Sequence, residues 1–233
     1  MFPLRDSTPS HRQPIMMWAL IAANTLVFLY ELTLGEAGQK ALFYEWGLVP
    51  KALSNPEWAW LNYLPEQSWT NLFTNMFLHG GWMHFLSNMW FLYIFADNVE
   101  DRMGHARFLA FYVLCGVGAS WMHYAFNTDS PVPALGASGA ISGVLGAYWR
   151  LFPTSRVITL IPVFFYPLIV EIYAVVFIGI WFLMQLMQGV GSLAVTQVGG
   201  VAWWAHIGGF VFGLILYRAF LLPARRDTRD WPI

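Results

Sequence analysis

Charged residues are scarce in this sequence. Asp, Glu, Lys and Arg make up 11% of its 233 residues, whereas hydrophobic residues make up 58%. A soluble domain carries about 25% charged residues, and a charge inside hydrocarbon is costly. The long uncharged runs therefore indicate membrane spans rather than a soluble core. A strong charge of either sign is also lacking, because the formal net charge is −1, and we expect no nucleic-acid partner.

Cysteine is almost absent. The single cysteine, Cys115, lies in an apolar run, so no intrachain disulfide can form and a buried packing role is predicted. The histidines that could be considered for a metal site lack acidic ligands and compact spacing. We therefore predict no metal site and no cofactor. These histidines are His79, His84, His123 and His206.

The uncharged runs divide into six predicted spans, which gives an all-α membrane protein with a six-helix transmembrane bundle. The fourth span is short, because a crossing needs about 20 residues. Its start at Ser138 is therefore expected below the membrane surface, reached by a loop that dips inward. Irregular backbone at that depth is tolerated only against protein or a water-filled cavity. The six spans cover residues 15–34, 78–98, 106–126, 138–152, 168–188 and 202–222.

The spans organise the chain into one domain, residues 15–222, flanked by a short N-terminal segment, 1–14, and a C-terminal tail, 223–233. The loop 35–77 is rich in Trp, Tyr and Pro, and we expect it to lie on the outer membrane interface. The stretch 156–167 is predicted to be an interfacial connector before the fifth span.

Lysine and arginine set the predicted orientation. With the N-terminus inside the cell, Lys40 and Lys51 lie outside, and the other ten of the 12 Lys and Arg residues lie on the cytoplasmic side. This asymmetry follows the positive-inside rule. We therefore expect a multi-pass protein with both termini in the cytoplasm, in a bacterial inner (plasma) membrane.

Four polar side chains stand out within the predicted spans: His84, Asn88, Ser138 and His206. Strongly polar residues at such positions are functional candidates. Ser138 and His206 each lie twelve residues from an arginine near the inner end of their span, about 18 Å away along a helix. His84 lies thirteen residues from Asp97, at a similar depth. One common depth in the outer half of the bilayer favours a shared site.

Glycines accompany the serine and the histidine at four-residue spacing. Such spacing lets two membrane helices approach closely, so spans four and six are predicted to pack there and to bring Ser138 within hydrogen-bond reach of His206. The predicted packing residues are Gly139, Gly143, Gly209 and Gly213.

These residue types suit nucleophilic catalysis. A serine hydroxyl is a weak nucleophile until a base takes its proton, and His206 can be that base for Ser138. The tetrahedral intermediate of acyl transfer also needs hydrogen-bond donors for its oxyanion. The backbone N–H of Ser138 is free at a helix start, and His84 and Asn88 share one helix face and can both donate.

The motifs around these residues resemble the rhomboid family of intramembrane proteases. They are GASG around Ser138, AHIGGFVFG at Ala205–Gly213, HFLSN at His84–Asn88 and DNVEDRMG at Asp97–Gly104. They occur in the family's order over roughly residues 70–222. GASG alone is a weak signal, but the set of motifs together is specific.

The resemblance implies a rhomboid-type six-helix bundle and a serine endopeptidase with a Ser138–His206 dyad and no required acid. It implies an oxyanion hole of His84, Asn88 and the Ser138 amide. The partners would be the lipid bilayer and single- or multi-span membrane proteins, cleaved in or near their transmembrane segments, often after a small residue. Some relatives place a tyrosine four residues after the serine, stacked on the histidine. This chain has Ser142 there, so another group must orient His206.

Two other classes of function stay open at this stage. A catalytically inactive rhomboid-like protein would bind unstable membrane helices, although it would usually lack the serine or the histidine. A transporter or channel would spread polar residues through the midplane, often with internal repeats, and no repeat is evident. Gln185 and Gln188, near the predicted outer end of span five, could bond across helices or contact substrate, and packing is the favoured interpretation.

Overall fold

The computed structural model describes residues 1–163, 166–192 and 202–223, and it shows a helical bundle with a small sheet at one end. Within these described ranges, six helices have 14 or more residues. In chain order the elements are β1 (Phe2–Asp6), α1 (Ile15–Thr33), α2 (Glu36–Trp46), α3 (Pro50–Ser54), α4 (Pro56–Leu61), α5 (Asn71–Thr74), a 3₁₀ turn (Asn75–Phe77), α6 (Trp82–Met103), α7 (His105–Phe126), α8 (Ser138–Leu151), β2 (Arg156–Val163), β3 (Tyr166–Tyr173), α9 (Ala174–Ser192) and α10 (Trp203–Phe220).

Three of these helices are long and apolar enough to cross a membrane by length and composition, namely α1, α7 and α9. The helix α8 is too short for that criterion, as its sequence predicts. The helix α6 runs beyond the predicted end of span two at residue 98, because it continues through a polar turn to Met103. It stops where Gly104 adopts a positive φ of 75°, a conformation that glycine tolerates best.

The helix α8 is the centre of the bundle. Every residue from Gly139 to Tyr148 is buried, and α8 packs against α6, α7, α9 and α10. A 14-residue helix could not span a bilayer alone, but surrounding helices cover it on all sides. Its glycines and alanines let those neighbours approach closely, and its first residue, Ser138, is half-buried.

The contact between α8 and α10 depends on glycine. A Cβ atom built on Gly209 would collide with the carbonyl oxygen of Gly139, and one built on Gly213 would collide with that of Gly143. A Cβ on Gly143 would also collide with Cys115, the buried free cysteine of α7. The two helix backbones therefore touch directly, and no larger side chain fits between them.

The segment 35–77 consists of short helices that hold the approach to α8. Leu48 and Ala134 exchange backbone hydrogen bonds of 3.1 and 2.7 Å. The side chain of Asn71 donates to the carbonyl of Gly47 at 2.9 Å. The segment is thus fastened to the residues that lead into Ser138.

The described residues are mostly helical, as predicted. The expectation of an all-α fold is nevertheless wrong, because β1, β2 and β3 form an antiparallel sheet in that order. The predicted connector at 156–167 is β2 and the start of β3, and the fifth long helix begins at Ala174 rather than at 168. Both strands are rich in β-branched residues, which pack well on a pleated surface. The predicted N-terminal segment, 1–14, supplies β1, and the predicted tail lies outside the described residues from 224 onward.

Buried polar contacts join the helix ends near this sheet. The carboxylate of Glu100, 1% exposed, accepts hydrogen bonds from the backbone N–H groups of Met16 and Met17 at 2.9 and 2.8 Å. It also contacts His105 Nδ1 at 2.5 Å. A carboxylate at a helix start satisfies free N–H groups and complements the helix dipole. Glu100 therefore joins the start of α1, the end of α6 and the start of α7.

Candidate active site

Ser138 and His206 meet between the first turns of α8 and α10. Ser138 Oγ lies 2.8 Å from His206 Nε2, and both residues are half-buried. The glycine contact described above makes this approach possible, because it removes side chains between the two helices. A hydroxyl and an imidazole nitrogen at this distance can exchange a proton.

Gly136 brings the segment before Ser138 close to α6. Its φ is 116°, which favours glycine, and its N–H donates to the carbonyl of Asn75 at 2.9 Å. A Cβ atom on Gly136 would lie 2.6 Å from His84 Nε2 and 3.4 Å from Asn88 Nδ2. Glycine is therefore required here by both conformation and space, and the two side chains of α6 lie beside the chain that enters Ser138.

Both α6 side chains present hydrogen-bond donors to this region. Gly80 N–H donates to His84 Nδ1 at 3.4 Å, which leaves the proton of a neutral imidazole on Nε2, the atom beside Gly136. Asn88 Nδ2 is buried and has no hydrogen-bond partner among the described residues. A buried amide donor without an acceptor is uncommon in folded proteins. The N–H of Ser138, which is free at the start of α8, is a further donor two residues along the chain from Gly136.

Gln185 is a site residue that sequence reasoning assigned to packing. Its side-chain Oε1 lies 2.8 Å from His206 Nδ1, on the side of the ring away from Ser138, and Gln185 is 7% exposed. The Ser142 hydroxyl donates instead to the carbonyl of Ser138 at 2.6 Å. Depth points to Gln185 once the start of α9 at Ala174 is known, since Gln185 lies eleven residues from it, close to the twelve that separate His206 from Arg218.

A small cavity adjoins Ser138. Asn75 and Ser120 form a hydrogen-bonded pair on its wall, with Asn75 Nδ2 donating to Ser120 Oγ at 3.0 Å. Alongside Met76, His123 and Leu135, the wall contains Gly and Ala residues that leave a small space beside the hydroxyl. The Gly and Ala residues include Gly136, Gly139, Ala140 and Ala205.

The described residues contain no cluster of three or more His, Cys, Asp or Glu side chains able to hold a metal ion. His206 is instead flanked by aromatic rings. The ring centroids of Trp181 and Trp203 lie 6.1 and 6.2 Å from that of the imidazole. The chemistry available at this site is therefore that of a hydroxyl, an imidazole and uncharged donors.

Comparison with known proteins identifies the family. A family model described as the rhomboid domain matches residues 66–223. RHOMBOID-like protein 1 of Arabidopsis thaliana is 32% identical over 151 residues, which cover 65% of this chain and 34% of that protein. Rhomboid protease GluP of Bacillus subtilis (strain 168) is 27% identical over 212 residues, covering 91% and 36% respectively. The mitochondrial presenilin-associated rhomboid-like protein of Mus musculus is 26% identical over 203 residues, covering 84% and 46%.

This chain spans 34 to 46% of the length of those three relatives. The matched domain nevertheless covers well over half of the chain and includes α6 to α10, with all four polar residues singled out from the sequence. Together with the apolar helices, it makes the chain an integral membrane protein. The predicted resemblance is confirmed, and this chain belongs to the rhomboid family.

Proposed function

We propose that this protein is an intramembrane serine endopeptidase that cleaves other membrane proteins in or near their transmembrane segments. Six helices, α1 and α6 to α10, would cross a bacterial inner membrane with both termini in the cytoplasm. The observation that carries the proposal is the 2.8 Å contact of Ser138 Oγ with His206 Nε2 at the half-buried start of α8. A membrane serine that only packs would not need an imidazole nitrogen at its hydroxyl.

The contact supports the following acyl-transfer steps. His206 Nε2 takes the proton of Ser138 as Oγ attacks the scissile carbonyl carbon, and a tetrahedral oxyanion forms. The imidazolium then gives the proton to the leaving amine, and the carbonyl re-forms as an acyl-enzyme. His206 then takes a proton from a water molecule as its oxygen attacks the ester, and the imidazolium returns that proton to Ser138 Oγ as the second product leaves.

The donors around Gly136 support stabilisation of the oxyanion. The Ser138 N–H, Asn88 Nδ2 and His84 Nε2 would donate to the negative oxygen as it forms. Asn88 Nδ2 is buried and unpaired among the described residues, so it need not break an existing bond to do so. Donors held in place before the reaction lower its barrier because nothing has to reorganise.

The position of the site supports membrane substrates. Ser138 and His206 lie about 18 Å along their helices from Arg150 and Arg218, within the outer half of the proposed bundle. A transmembrane segment would have to unwind locally to present its backbone there. The small cavity beside Ser138 favours a small side chain on the acyl side of the cleaved bond.

The test is cleavage of a model single-span substrate by the purified protein in proteoliposomes. We expect Ser138→Ala and His206→Ala each to abolish cleavage with an unchanged melting temperature. Matched controls are Ser54→Ala and His11→Ala, which alter exposed residues far along the chain from the site. Wild-type turnover in either site variant would show that the dyad is wrong. No cleavage by the wild type would favour a non-catalytic rhomboid-like binding protein.

A further inference from the structure

The histidine of the dyad has a second polar contact. His206 Nδ1 lies 2.8 Å from the side-chain Oε1 of Gln185 on α9. Gln185 is 7% exposed, so water does not readily replace this bond. The three side chains form a line across three helices, from Gln185 through the imidazole of His206 to the hydroxyl of Ser138.

The amide nitrogen of Gln185 fixes the orientation of the side-chain amide. This atom, Nε2, donates to the backbone carbonyl of Trp181 at 3.2 Å, one helical turn earlier. A flipped amide would place its oxygen against that carbonyl, and both atoms would be acceptors. The oxygen of Gln185 therefore faces His206, and an amide oxygen can only accept a hydrogen bond.

An acceptor at Nδ1 decides where a neutral imidazole carries its proton. Nδ1 must be the protonated nitrogen in order to donate to Gln185, which leaves the lone pair of Nε2 directed at the hydroxyl of Ser138. Only that tautomer can accept the serine proton. With the opposite tautomer, Nε2–H would point at Oγ and His206 could not act as a base.

We propose that Gln185 is a positioning residue that holds His206 as its Nδ1–H tautomer and fixes the plane of its ring. Ser138, His206 and Gln185 then form a hydrogen-bonded triad that contains no acid. The proposal rests on the proposed peptidase function. Gln185 would orient His206 in place of the tyrosine that some relatives have at the position of Ser142. The Ser142 hydroxyl is itself bonded to the Ser138 carbonyl.

Direct observation of the tautomer tests the proposal without any substrate. The protein labelled with ¹⁵N-histidine would be studied by NMR in lipid near neutral pH, with the His206 signals assigned by comparison with His206→Ala. We expect Nδ1 to be the protonated nitrogen in the wild type, and expect a mixture of tautomers in Gln185→Met. A wild-type His206 with its proton on Nε2 would overturn the proposal, whether or not the protein cleaves a substrate.

Steady-state kinetics test whether the Gln185 hydrogen bond matters for cleavage. Methionine matches the length of glutamine but offers no amide oxygen, so Gln185→Met should lower kcat about 10- to 100-fold with little change in KM, as for one uncharged buried hydrogen bond. Gln185→Glu keeps an acceptor at the same position and should recover most of that loss. Gln188→Met is the control, because Gln188 is exposed one turn further along α9, and its kcat should stay at the wild-type value.

Three outcomes distinguish the positioning role of Gln185 from a purely structural role and from the peptidase proposal. An active wild type with unchanged kcat in Gln185→Met would overturn the positioning role and leave the peptidase proposal intact. A melting temperature lowered equally in Gln185→Met and Gln185→Glu, with kcat following it, would show that Gln185 only joins α9 to α10. An inactive wild type with a protonated Nδ1 would count against the peptidase proposal and support the tautomer assignment.

Discussion

The direct backbone contact of α8 with α10 makes a specific prediction for Gly209→Ala. The substitution adds one methyl group, yet its Cβ would lie far inside the 3.0 Å that Cβ atoms keep from other heavy atoms, against the carbonyl oxygen of Gly139. That obstacle is backbone rather than a flexible side chain. The two helices must therefore separate, and Ser138 and His206 are carried by these two helices.

The size of the effect follows from the geometry. A separation of roughly 1 Å, about the distance by which the added Cβ falls short of 3.0 Å, would stretch the 2.8 Å contact of Ser138 Oγ with His206 Nε2 beyond hydrogen-bond distance. A displacement of that size costs catalysis about 10²-fold. Overpacking of a rigid contact also costs about 1–3 kcal/mol of stability. Activity and melting temperature should therefore fall together, and further in Gly209→Val.

The assay pairs steady-state cleavage of a single-span substrate with a thermal melt in the same detergent. Gly179→Ala is the matched control, since Gly179 also lies within a long helix, but its Cβ would meet only Trp149 Nε1 at 3.9 Å, an ordinary contact. Unchanged activity and melting temperature in Gly209→Ala would refute the close packing of α8 on α10. Lost activity with an unchanged melting temperature would indicate a direct role of this residue in the site.

Three further predictions concern other parts of the molecule. Asn88→Ala should lower kcat about 10²-fold, within the range for one oxyanion donor, with little change in KM or in the melting temperature; wild-type kcat would remove Asn88 from the site. Burial raises the pKa of Asp6, outweighing the hydrogen bond from Tyr148. The folded protein then holds this proton to higher pH than the unfolded chain, so stability falls as pH rises from the usual Asp range through the raised pKa. Asp6→Asn keeps an acceptor for Tyr148 and should flatten that part of a melting-temperature profile; an unchanged slope would contradict the assignment. Reporters fused after Arg102 should read cytoplasmic and those in 35–77 external, and the reverse would overturn the proposed orientation.

The pairing of Ser138 with His206 could be anticipated because helical rise is constant. Twelve residues to an arginine in each of two helices places both side chains at one depth, whatever the details of packing. The glycine spacing then indicates which faces meet, and the structure has both features. This part of the site could be predicted because helical rise and residue spacing are regular.

The sheet could not be anticipated in the same way. The strands at 156–173 are apolar and contain few breakers, and a short apolar run fits a strand or a buried helix equally well. The pairing of β2 with β1 joins residues more than 150 positions apart, which local patterns do not report. The predicted fifth span therefore includes 168–173, which belong to β3, and its inner end lies six residues before the observed start of α9 at Ala174.

That displacement also explains why Gln185 was assigned to packing. Counted from residue 168, Gln185 lies seventeen residues into the span, near its outer end; counted from Ala174, it lies eleven residues in, at the depth of His206. The direction of its amide depends on the backbone carbonyl of Trp181, and no sequence pattern shows such an orientation. Hydrogen-bond directions within the site therefore had to come from the structure.

The most direct measurement of the central claim is covalent labelling of the serine. A fluorophosphonate reacts with a serine oxygen that has been activated by a base, so the purified wild-type protein should be modified, and mass spectrometry of its peptides should place the adduct on Ser138. His206→Ala should label far more slowly, while His11→Ala should label like the wild type. An adduct on another serine, or equal labelling of Ser138 with and without His206, would contradict the proposal that Ser138 is a nucleophile activated by His206.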